Sequence, residues 1–317
     1  MYDIDKKRLE ILSNDLNFIT NTLEKVLRLI KILNFVFTKE SINNMLLLKG
    51  GTAINLCLLK LPRLSVDIDF DFAVDCSKNE MLEKLQMIRD IIVDYMTSND
   101  YKPSNRSKQT HTLDSFVFMY DTLSNSTDVL KIEINYSNRC HLFKQEERST
   151  TELLGESTTV HMLNPLELIG SKVSALISRT VPRDVYDVYN LLKDNERYDW
   201  KLISNIAILY TCLSEDLPID FDVIIEKALT KIDSLRYFHL KETIIPVIHK
   251  GEQLNVELMK NTVITFIKKS FNLNTNEKEF IVNFNNGNFI PELLVGKLEL
   301  NEIKHHPMVE WKMNKLK

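Results

Sequence analysis

The sequence of 317 residues has little glycine, no strong net charge and no long apolar run. Its formal net charge is −4, so a nucleic-acid partner would have to be held by local basic patches rather than by a general positive field. No apolar run approaches the ~18 residues that a membrane span needs. The polar start MYDIDKKRLE does not resemble a signal peptide. These absences predict a cytoplasmic protein that makes no membrane contact.

Cysteine is also scarce, and the sequence contains no C-x-x-C pair. Scattered cysteines of this kind predict reduced, buried thiols rather than a disulfide framework. The four are Cys57, Cys76, Cys140 and Cys212.

Apolar periodicity predicts an α+β protein of two domains, 1–163 and 164–317, of which the second is mostly helical. The first 38 residues carry a 3-4 apolar spacing that fits either a dimeric coiled coil or two helices broken within 17–22, and its short length favours the two helices and a monomer. The predicted strands are 45–48, 66–72, 116–120, 128–136 and 160–163. Helices are predicted at 53–61, 80–98 and from Pro165 onward, and 144–152 is the best loop candidate.

The stretch VDIDFDF at 66–72 is the most informative part of the sequence. Asp67, Asp69 and Asp71 alternate with large apolar residues, so a strand would place three carboxylates on one face. A solvent-facing edge strand is one interpretation. An EF-hand is excluded, because its sixth position would be Phe72 instead of glycine and its twelfth Lys78 instead of glutamate. A divalent cation would offset the repulsion among the acids, which favours a metal site.

Two adjacent glycines precede the acidic strand in the segment Lys49-Gly50-Gly51-Thr52. Glycine lets the backbone come close to a phosphate, and the first amides of a following helix can bind that phosphate. Thr52 would cap this helix or bind a phosphate oxygen. A Gly-Gly turn, a helix and an Asp-x-Asp strand therefore predict phosphate donors beside metal-binding carboxylates.

This order, with Arg63-x-Ser65-x-Asp67-x-Asp69, resembles the nucleotidyltransferase fold of the DNA polymerase beta superfamily. More narrowly, KGGTA through RLSVDIDF looks like the AbiEii/AbiGii toxin family, which includes MenT-type toxins. KIEINY at 131–136 is similar to its second acidic strand, SKVSALISR at 171–179 to its lysine helix and RDVYDVYNLL at 183–192 to its signature helix. PELL at 291–294 and HPMVEWK at 306–312 look like its tail. The resemblance implies a polymerase-beta-type mixed sheet flanked by helices, completed by the helical C-terminal domain.

The resemblance also implies roles for individual residues. Catalytic roles would belong to Asp67, Asp69, Glu133, Lys172 and Asp184, with Mg²⁺ or Mn²⁺ held by Asp67, Asp69 and Glu133. The nucleoside triphosphate would contact Lys49, Gly50, Gly51, Thr52, Ser65, Lys172, Arg179 and Asp187. For Glu133 an ordinary surface position is an equally open interpretation. For Asp187 the alternative is a surface ion pair with Arg183, and Asp71 has no assigned role.

The implied function is a metal-dependent nucleotidyltransferase toxin that modifies an RNA acceptor, in particular the 3′ end of tRNA, and blocks translation. It would belong to a toxin–antitoxin or phage-defence system with a cognate antitoxin. Two alternatives are AMP transfer to a protein hydroxyl and a non-catalytic nucleotide-binding protein. Only modest basic stretches at 102–108 and 304–317 are available to bind RNA phosphates. His305 and His306 lack further ligands at suitable spacing for a metal site.

Overall fold

The structure is a computed structural model that describes residues 4–59, 61–193, 197–296 and 303–315. Its contacts divide the chain into two units. The first unit consists of Met1–Arg139, Gln145–Leu163 and Val247–Lys250, and the second of Cys140–Lys144, Asn164–Pro246 and Gly251–Lys317. The fold is mixed α+β, as predicted.

The strands of the first unit form one mixed sheet with the order β3-β5-β6-β2-β1-β8-β7 and with β4 paired to β5. β2 runs antiparallel to β1 and parallel to β6. The strands are β1 (Leu46–Lys49), β2 (Asp67–Phe72), β3 (Lys102–Pro103), β4 (Lys108–Gln109), β5 (Leu113–Asp121), β6 (Thr127–Asn135), β7 (Glu146–Ser149) and β8 (Thr159–Met162).

Helices flank the sheet in the first unit and make up most of the second. Those of the first unit are α1 (Lys6–Asp15), α2 (Thr20–Thr38), α3 (Gly50–Ala53) and α4 (Lys78–Ser98). Those of the second unit are α5 (Pro165–Arg179), α6 (Pro182–Leu192), α7 (Trp200–Ser214), α8 (Phe221–Ser234), α9 (Tyr237–Lys241), α10 (Val256–Ser270), α11 (Thr275–Asn285), α12 (Glu292–Val295) and α13 (Pro307–Lys315).

The N-terminal apolar pattern forms two helices, which confirms the two-helix interpretation over a continuous coiled coil. The chain breaks at Asn17, which has a left-handed φ of 55°. Leu23, Val26 and Ile30 of α2 are buried in a core of the first unit together with Leu9 of α1. The apolar stripe is therefore covered by the same chain.

The acidic strand β2 lies inside the sheet, between β6 and β1. The interpretation as a solvent-facing edge strand is therefore wrong. Ile68, Phe70 and Phe72 are fully buried on one face. By the period of two, the three aspartates share the opposite face, as the sequence predicted.

The predicted helix at 53–61 and the predicted loop at 144–152 both differ from the structure, and β3 and β4 were not predicted. The helix predicted at 53–61 begins earlier, at Gly50, and continues from Ala53 as a π-helical turn, Ile54–Leu58. Of this prediction, residue 60 lies outside the described residues. The loop predicted at 144–152 contains β7, which pairs antiparallel with β8. Its run of charges suits a short edge strand, where charged side chains face water and discourage further pairing.

A short segment from the C-terminal half, Val247–Lys250, belongs to the first unit. The amide of Leu64 donates to the carbonyl of Val247 at 2.7 Å, and the amide of Lys250 donates to the carbonyl of Asn17. The His249 ring stacks on Phe18 with centroids 4.1 Å apart, and its Nδ1 donates to the carbonyl of Leu16 at 2.7 Å. This segment, which we call the closing segment, ties the turn between α1 and α2 to the chain before β2.

The helical second unit begins at Asn164, whose side chain caps α5 by accepting from the Leu166 amide. α5 packs closely on α7 because Gly170 presents no side chain: a Cβ there would lie 2.5 Å from Cγ2 of Ile206. In the described residues, no helix is both long and apolar enough to cross a bilayer.

All four cysteines are reduced thiols, as predicted, but only Cys140 and Cys212 are buried and the other two are partly exposed. Burial raises the pKa of Cys57 and of Cys212 to about 12. These two thiols are therefore protonated, poorly reactive groups at neutral pH.

Candidate active site

A row of polar side chains crosses the centre of the sheet on the aspartate face of β2. The row runs in register across β1, β2, β6 and β5 and consists of Lys49, Asp69, Glu133 and Ser115. Adjacent strands lie about 4.8 Å apart and register partners face the same side. The Asp69 and Glu133 side chains therefore leave the sheet next to each other, and Asp67 leaves the same face of β2.

The Gly50–Gly51 turn lies directly against this row. Gly50 has a φ of 69°, and a Cβ on it would lie 2.3 Å from Oδ2 of Asp69. A Cβ on Gly51 would lie 2.7 Å from Nη2 of Arg63 and 3.0 Å from Oγ of Ser65. Both positions need glycine for space, and Gly50 also needs it for its backbone conformation. The turn thus brings the Gly50 backbone close to the Asp69 carboxylate.

Asp71, which had no assigned role, forms an ion pair with Lys49. Nζ of Lys49 lies 2.5 Å from Oδ1 of Asp71, whose side chain is only 3 % exposed. A buried carboxylate without such a partner would be expensive. The third acid of the strand is therefore neutralised inside the protein, whereas Asp67 and Asp69 are only half-buried.

Thr52 and Ser65 are both buried beside the turn. The Thr52 hydroxyl donates to the backbone carbonyl of Asp67, and the N-cap of α3 is Lys49 rather than Thr52. Thr52 therefore connects the turn to the start of the acidic strand. The roles of Thr52 and Ser65 at a nucleotide stay predictions.

Glu133 is accessible from solvent and pairs with Lys131 two residues earlier on the same strand face. Oε2 of Glu133 lies 2.9 Å from Nζ of Lys131, and the two side chains are 27 % and 40 % exposed. An ion pair this exposed contributes little to stability, ~0.5 kcal/mol. Glu133 therefore sits beside Asp69 without being locked in place.

The carboxylates suit a divalent ion that shares its ligands with a substrate. Asp67 and Asp69 offer two carboxylates from one strand face, and Mg²⁺ commonly takes one or two carboxylates together with substrate phosphates. Within the described residues, no three His, Cys, Asp or Glu side chains converge as a metal site. Asp67, Asp69 and Glu133 as metal ligands therefore stay predictions.

The remaining predicted residues form a second group in the second unit, which we call the Asp184 cluster: Lys172 and Arg179 of α5 with Asp184 and Asp187 of α6. Nζ of Lys172 lies 3.0 Å from Oδ1 of Asp184 and 3.0 Å from Oδ2 of Asp187. Arg179 donates to both oxygens of Asp184, at 2.7 and 3.1 Å. Two cations and two anions therefore balance each other.

Burial differs sharply within the Asp184 cluster. Asp187 is fully buried, so its interpretation as half of a surface ion pair with Arg183 is wrong. Lys172 is only 7 % exposed, whereas the Arg179 side chain is 60 % exposed. The cluster thus combines a buried lysine, held by two carboxylates, with an arginine that faces solvent.

The predicted site residues are divided between the two units. The first unit holds Lys49, Gly50, Gly51, Thr52, Ser65, Asp67, Asp69 and Glu133. The second unit holds Lys172, Arg179, Asp184 and Asp187.

Arg63 is a neighbour of the site that the assignment of roles missed. It is 3 % exposed, and its Nη1 donates to the carbonyl of Leu64 at 3.0 Å, beside the Gly51 backbone. An arginine is usually exposed, so hydropathy gave no reason to place it here. Its place in the R-x-S-x-D motif was the available signal.

The sequence matches the profile of the family described as nucleotidyl transferase AbiEii toxin, type IV TA system, over residues 32–246. No curated protein matches the sequence. Among solved structures, the chain is similar to MenT4, a nucleotidyltransferase toxin from Mycobacterium tuberculosis H37Rv. That likeness has a TM-score of 0.62 at 13 % identity and covers 99 % of this chain and 100 % of the other. At this identity it shows the fold alone.

The family profile spans more than half of the chain and includes the Gly-Gly turn, the acidic strand and the Asp184 cluster. The predicted family and fold are thereby confirmed, and so is the prediction of an enzyme that transfers nucleotides. The chain belongs to the AbiEii family of nucleotidyltransferase toxins of type IV toxin–antitoxin systems.

Proposed function

We propose that this nucleotidyltransferase moves a nucleotide from a nucleoside triphosphate to the 3′ hydroxyl of an RNA, with tRNA as the acceptor, and thereby blocks translation. The observation that carries the proposal is the half-buried pair Asp67 and Asp69 beside the Gly50–Gly51 turn. Carboxylates that suit cations lie there next to backbone amides that suit phosphate oxygens.

In the proposed reaction the acceptor oxygen attacks the α-phosphorus of the triphosphate. A new P–O bond forms, the bond to the β-phosphate oxygen breaks, and pyrophosphate leaves. The bound Mg²⁺ or Mn²⁺ would lower the pKa of the acceptor hydroxyl and stabilise the charge on pyrophosphate. Phosphoryl chemistry of this type depends mainly on positioning and charge neutralisation.

The acids, the glycine turn and Lys49 of the first unit have separate tasks in this scheme. Asp67 and Asp69 hold the cations, and the Gly50–Gly51 amides orient the phosphates. Glu133, which is exposed to solvent beside Asp69, accepts the proton of the acceptor hydroxyl. Lys49 keeps Asp71 neutralised, and Asp67 and Asp69 are the two acids of the strand assigned to cations.

In this proposal the cationic side chains assigned to the phosphates are those of Lys172 and Arg179. The two carboxylates fix the Lys172 ammonium group, and Arg179 presents an exposed guanidinium. The family resemblance supports the assignment of Lys172 to the β- and γ-phosphates. The reduced thiols support a cytoplasmic setting, where cysteines stay reduced.

The decisive experiment incubates the purified protein with each α-labelled nucleoside triphosphate, Mg²⁺, and either total RNA or total protein. We expect label in tRNA, and loss of that label in Asp67→Asn and Asp69→Asn, which keep side-chain shape and remove charge. Label only in protein would favour AMP transfer to a hydroxyl. Full growth arrest by a well-expressed double variant would refute a catalytic toxin.

A further inference from the structure

We propose that Tyr237 and Phe238 form a stacking surface for unpaired bases of the RNA acceptor. This inference rests on the proposed function for its choice of RNA as partner. The two rings belong to α9 in the second unit and are 56 % and 75 % exposed. Phe238 makes an edge contact with the neighbouring His239 ring, with centroids 5.9 Å apart. Both aromatic side chains still leave more than half of their area in water, so packing alone does not explain them.

The charges around these rings suit a nucleic acid. Arg236 and Lys241 flank them and are exposed, and Lys231 is exposed at the end of α8. Of the nearby acids, Glu242 is exposed, and Asp233 lies 3.9 Å from Nζ of Lys260. Flat rings beside cations are the usual means of binding single-stranded RNA, since bases stack on the rings and phosphates approach the cations.

The surface is connected to the helix that carries Asp184 and Asp187. Nε of Arg183, at the start of α6, donates to the carbonyl of Thr243 at 3.0 Å. The Thr243 hydroxyl donates in turn to the carbonyl of His239 at 3.0 Å. These two hydrogen bonds therefore hold α9 and its rings at a fixed place relative to the Asp184 cluster. An RNA strand that stacks on the rings would need this fixed position.

The two basic stretches noted in the sequence fit this role less well. Residues 102–108 are largely exposed, but the adjacent Tyr101 ring is only 3 % exposed. At the C-terminus, Nζ of Lys315 lies 3.6 Å from the centroid of the Trp311 ring and covers one face of it. The last two residues of the predicted stretch 304–317 lie outside the described residues. Phe238 thus offers the more accessible ring.

The test measures binding of a short, fluorescein-labelled single-stranded RNA and of tRNA by anisotropy, without any nucleotide present. Tyr237→Ala and Phe238→Ala should each weaken binding about tenfold, since stacking on an aromatic side chain commonly contributes that much per base. Phe238→Trp should retain binding. Phe238→Leu, which keeps apolar area and loses the flat ring, should weaken it.

Charge and exposure have their own controls. Arg236→Ala and Lys241→Ala should each reduce the slope of log affinity against log salt by about 0.7, since each removes a cation that neutralises one phosphate. Trp311→Leu, also an exposed ring, and Val282→Ser, an exposed apolar residue, should bind RNA like the wild type. The Phe238 and Val282 variants should melt at the wild-type temperature, because these side chains are largely in water. Arg236→Ala should melt slightly lower, because it removes the hydrogen bonds from Nη1 to the carbonyls of Asp233 and Leu235.

In transfer assays, the ring variants should raise KM for RNA and leave KM for the nucleotide unchanged. Wild-type RNA affinity in both ring-to-alanine variants would overturn the proposal. The proposal would also be overturned if the double variant Tyr237→Ala/Phe238→Ala kept wild-type RNA affinity but escaped neutralisation by the antitoxin. That result would indicate that the surface binds a protein. If the wild type binds RNA through these rings yet labels no RNA, the proposed function fails and the stacking surface stands.

Discussion

At the scale of the residue, Gly50 is the position where space and backbone conformation both forbid a side chain. In Gly50→Ala the new Cβ would meet the Asp69 carboxylate and the left-handed φ would be strained. We expect a loss of about 1–2 kcal/mol in stability. Because Asp69 must move, we also expect a fall of roughly a hundredfold in kcat.

Gly155 provides the matched control for this prediction. It lies in the same unit with a φ of 77°, but a Cβ there would meet nothing within 4 Å. Gly155→Ala should therefore cost similar stability and leave nucleotide transfer at the wild-type rate. Equal activity in the Gly50 and Gly155 variants would show that the close approach to Asp69 does not matter for catalysis.

The aspartates of β2 should separate into two kinds when each is changed to asparagine. Asp71→Asn removes the anionic partner of Lys49 and should lower the unfolding free energy by about 2 kcal/mol, with transfer retained. Asp69→Asn should abolish transfer and lower stability less than Asp71→Asn, because the Asp69 side chain is only half-buried. Thermal melts and label incorporation on the two proteins check this split. A stable but inactive Asp71→Asn would place Asp71 in the chemistry instead.

The sequence could predict the strand, its two faces and the acidic pair, because a period of two and a rare Gly-Gly are local signals. It could not predict that Lys49 neutralises Asp71, since that pair joins residues 22 apart. The sequence likewise predicted that Thr52 caps the helix or binds a phosphate, because its partner across the sheet could not be foreseen. In the structure the Thr52 hydroxyl donates to the carbonyl of Asp67. Partners across strands depend on register, which local patterns do not give.

At the scale of the element, the close packing of α5 on α7 depends on Gly170. Gly170→Ala would press a methyl group onto Ile206 and should destabilise the protein by about 1–2 kcal/mol, despite the better helix propensity of alanine. Ile206→Ala alone should destabilise through a cavity.

The double variant Gly170→Ala/Ile206→Ala makes this prediction specific. The added methyl group would enter the space that the smaller residue leaves, so the combined loss should be smaller than the sum by at least about 1 kcal/mol. Chemical denaturation of the four proteins gives the coupling. If the two losses of stability were strictly additive, the side chains at positions 170 and 206 would not compete for the same space.

Long elements followed from the sequence better than short ones. α4 was expected at 80–98 and spans Lys78–Ser98, because its apolar period repeats over five turns. β3, β4 and β7 were missed, as they have two to four residues and partly exposed or charged side chains. Such strands exist because a neighbouring strand offers them hydrogen bonds, and that neighbour is distant in sequence.

At the scale of the whole molecule, the first unit is not a continuous stretch of chain. The closing segment contributes the stacking of His249 on Phe18 and hydrogen bonds to residues of the N-terminal half. His249→Ala should lower the free energy needed to detach the closing segment by about 2 kcal/mol, because it removes the ring pair and a hydrogen bond. The amides of Leu64 and Lys250 should then exchange hydrogen roughly thirtyfold faster. His111→Ala, at an exposed position, should leave both rates unchanged.

A boundary near residue 163 was expected because the pattern changes there from strands to helices. The participation of residues 247–250 in the first unit carries no such signal, since four residues are too few for any periodicity. The division into the domains 1–163 and 164–317 therefore remains a prediction.

The closing segment also sets the order in which the protein is completed on the ribosome. Its residues are synthesised after α5, α6, α7 and α8, so the unit that carries Asp67 and Asp69 waits for the chain beyond residue 250 to emerge. At a synthesis rate of about 5–20 residues per second, the delay after residue 163 is roughly 4 to 17 seconds. The unit that contains the acidic strand is thus completed late, when most of the chain has already been made.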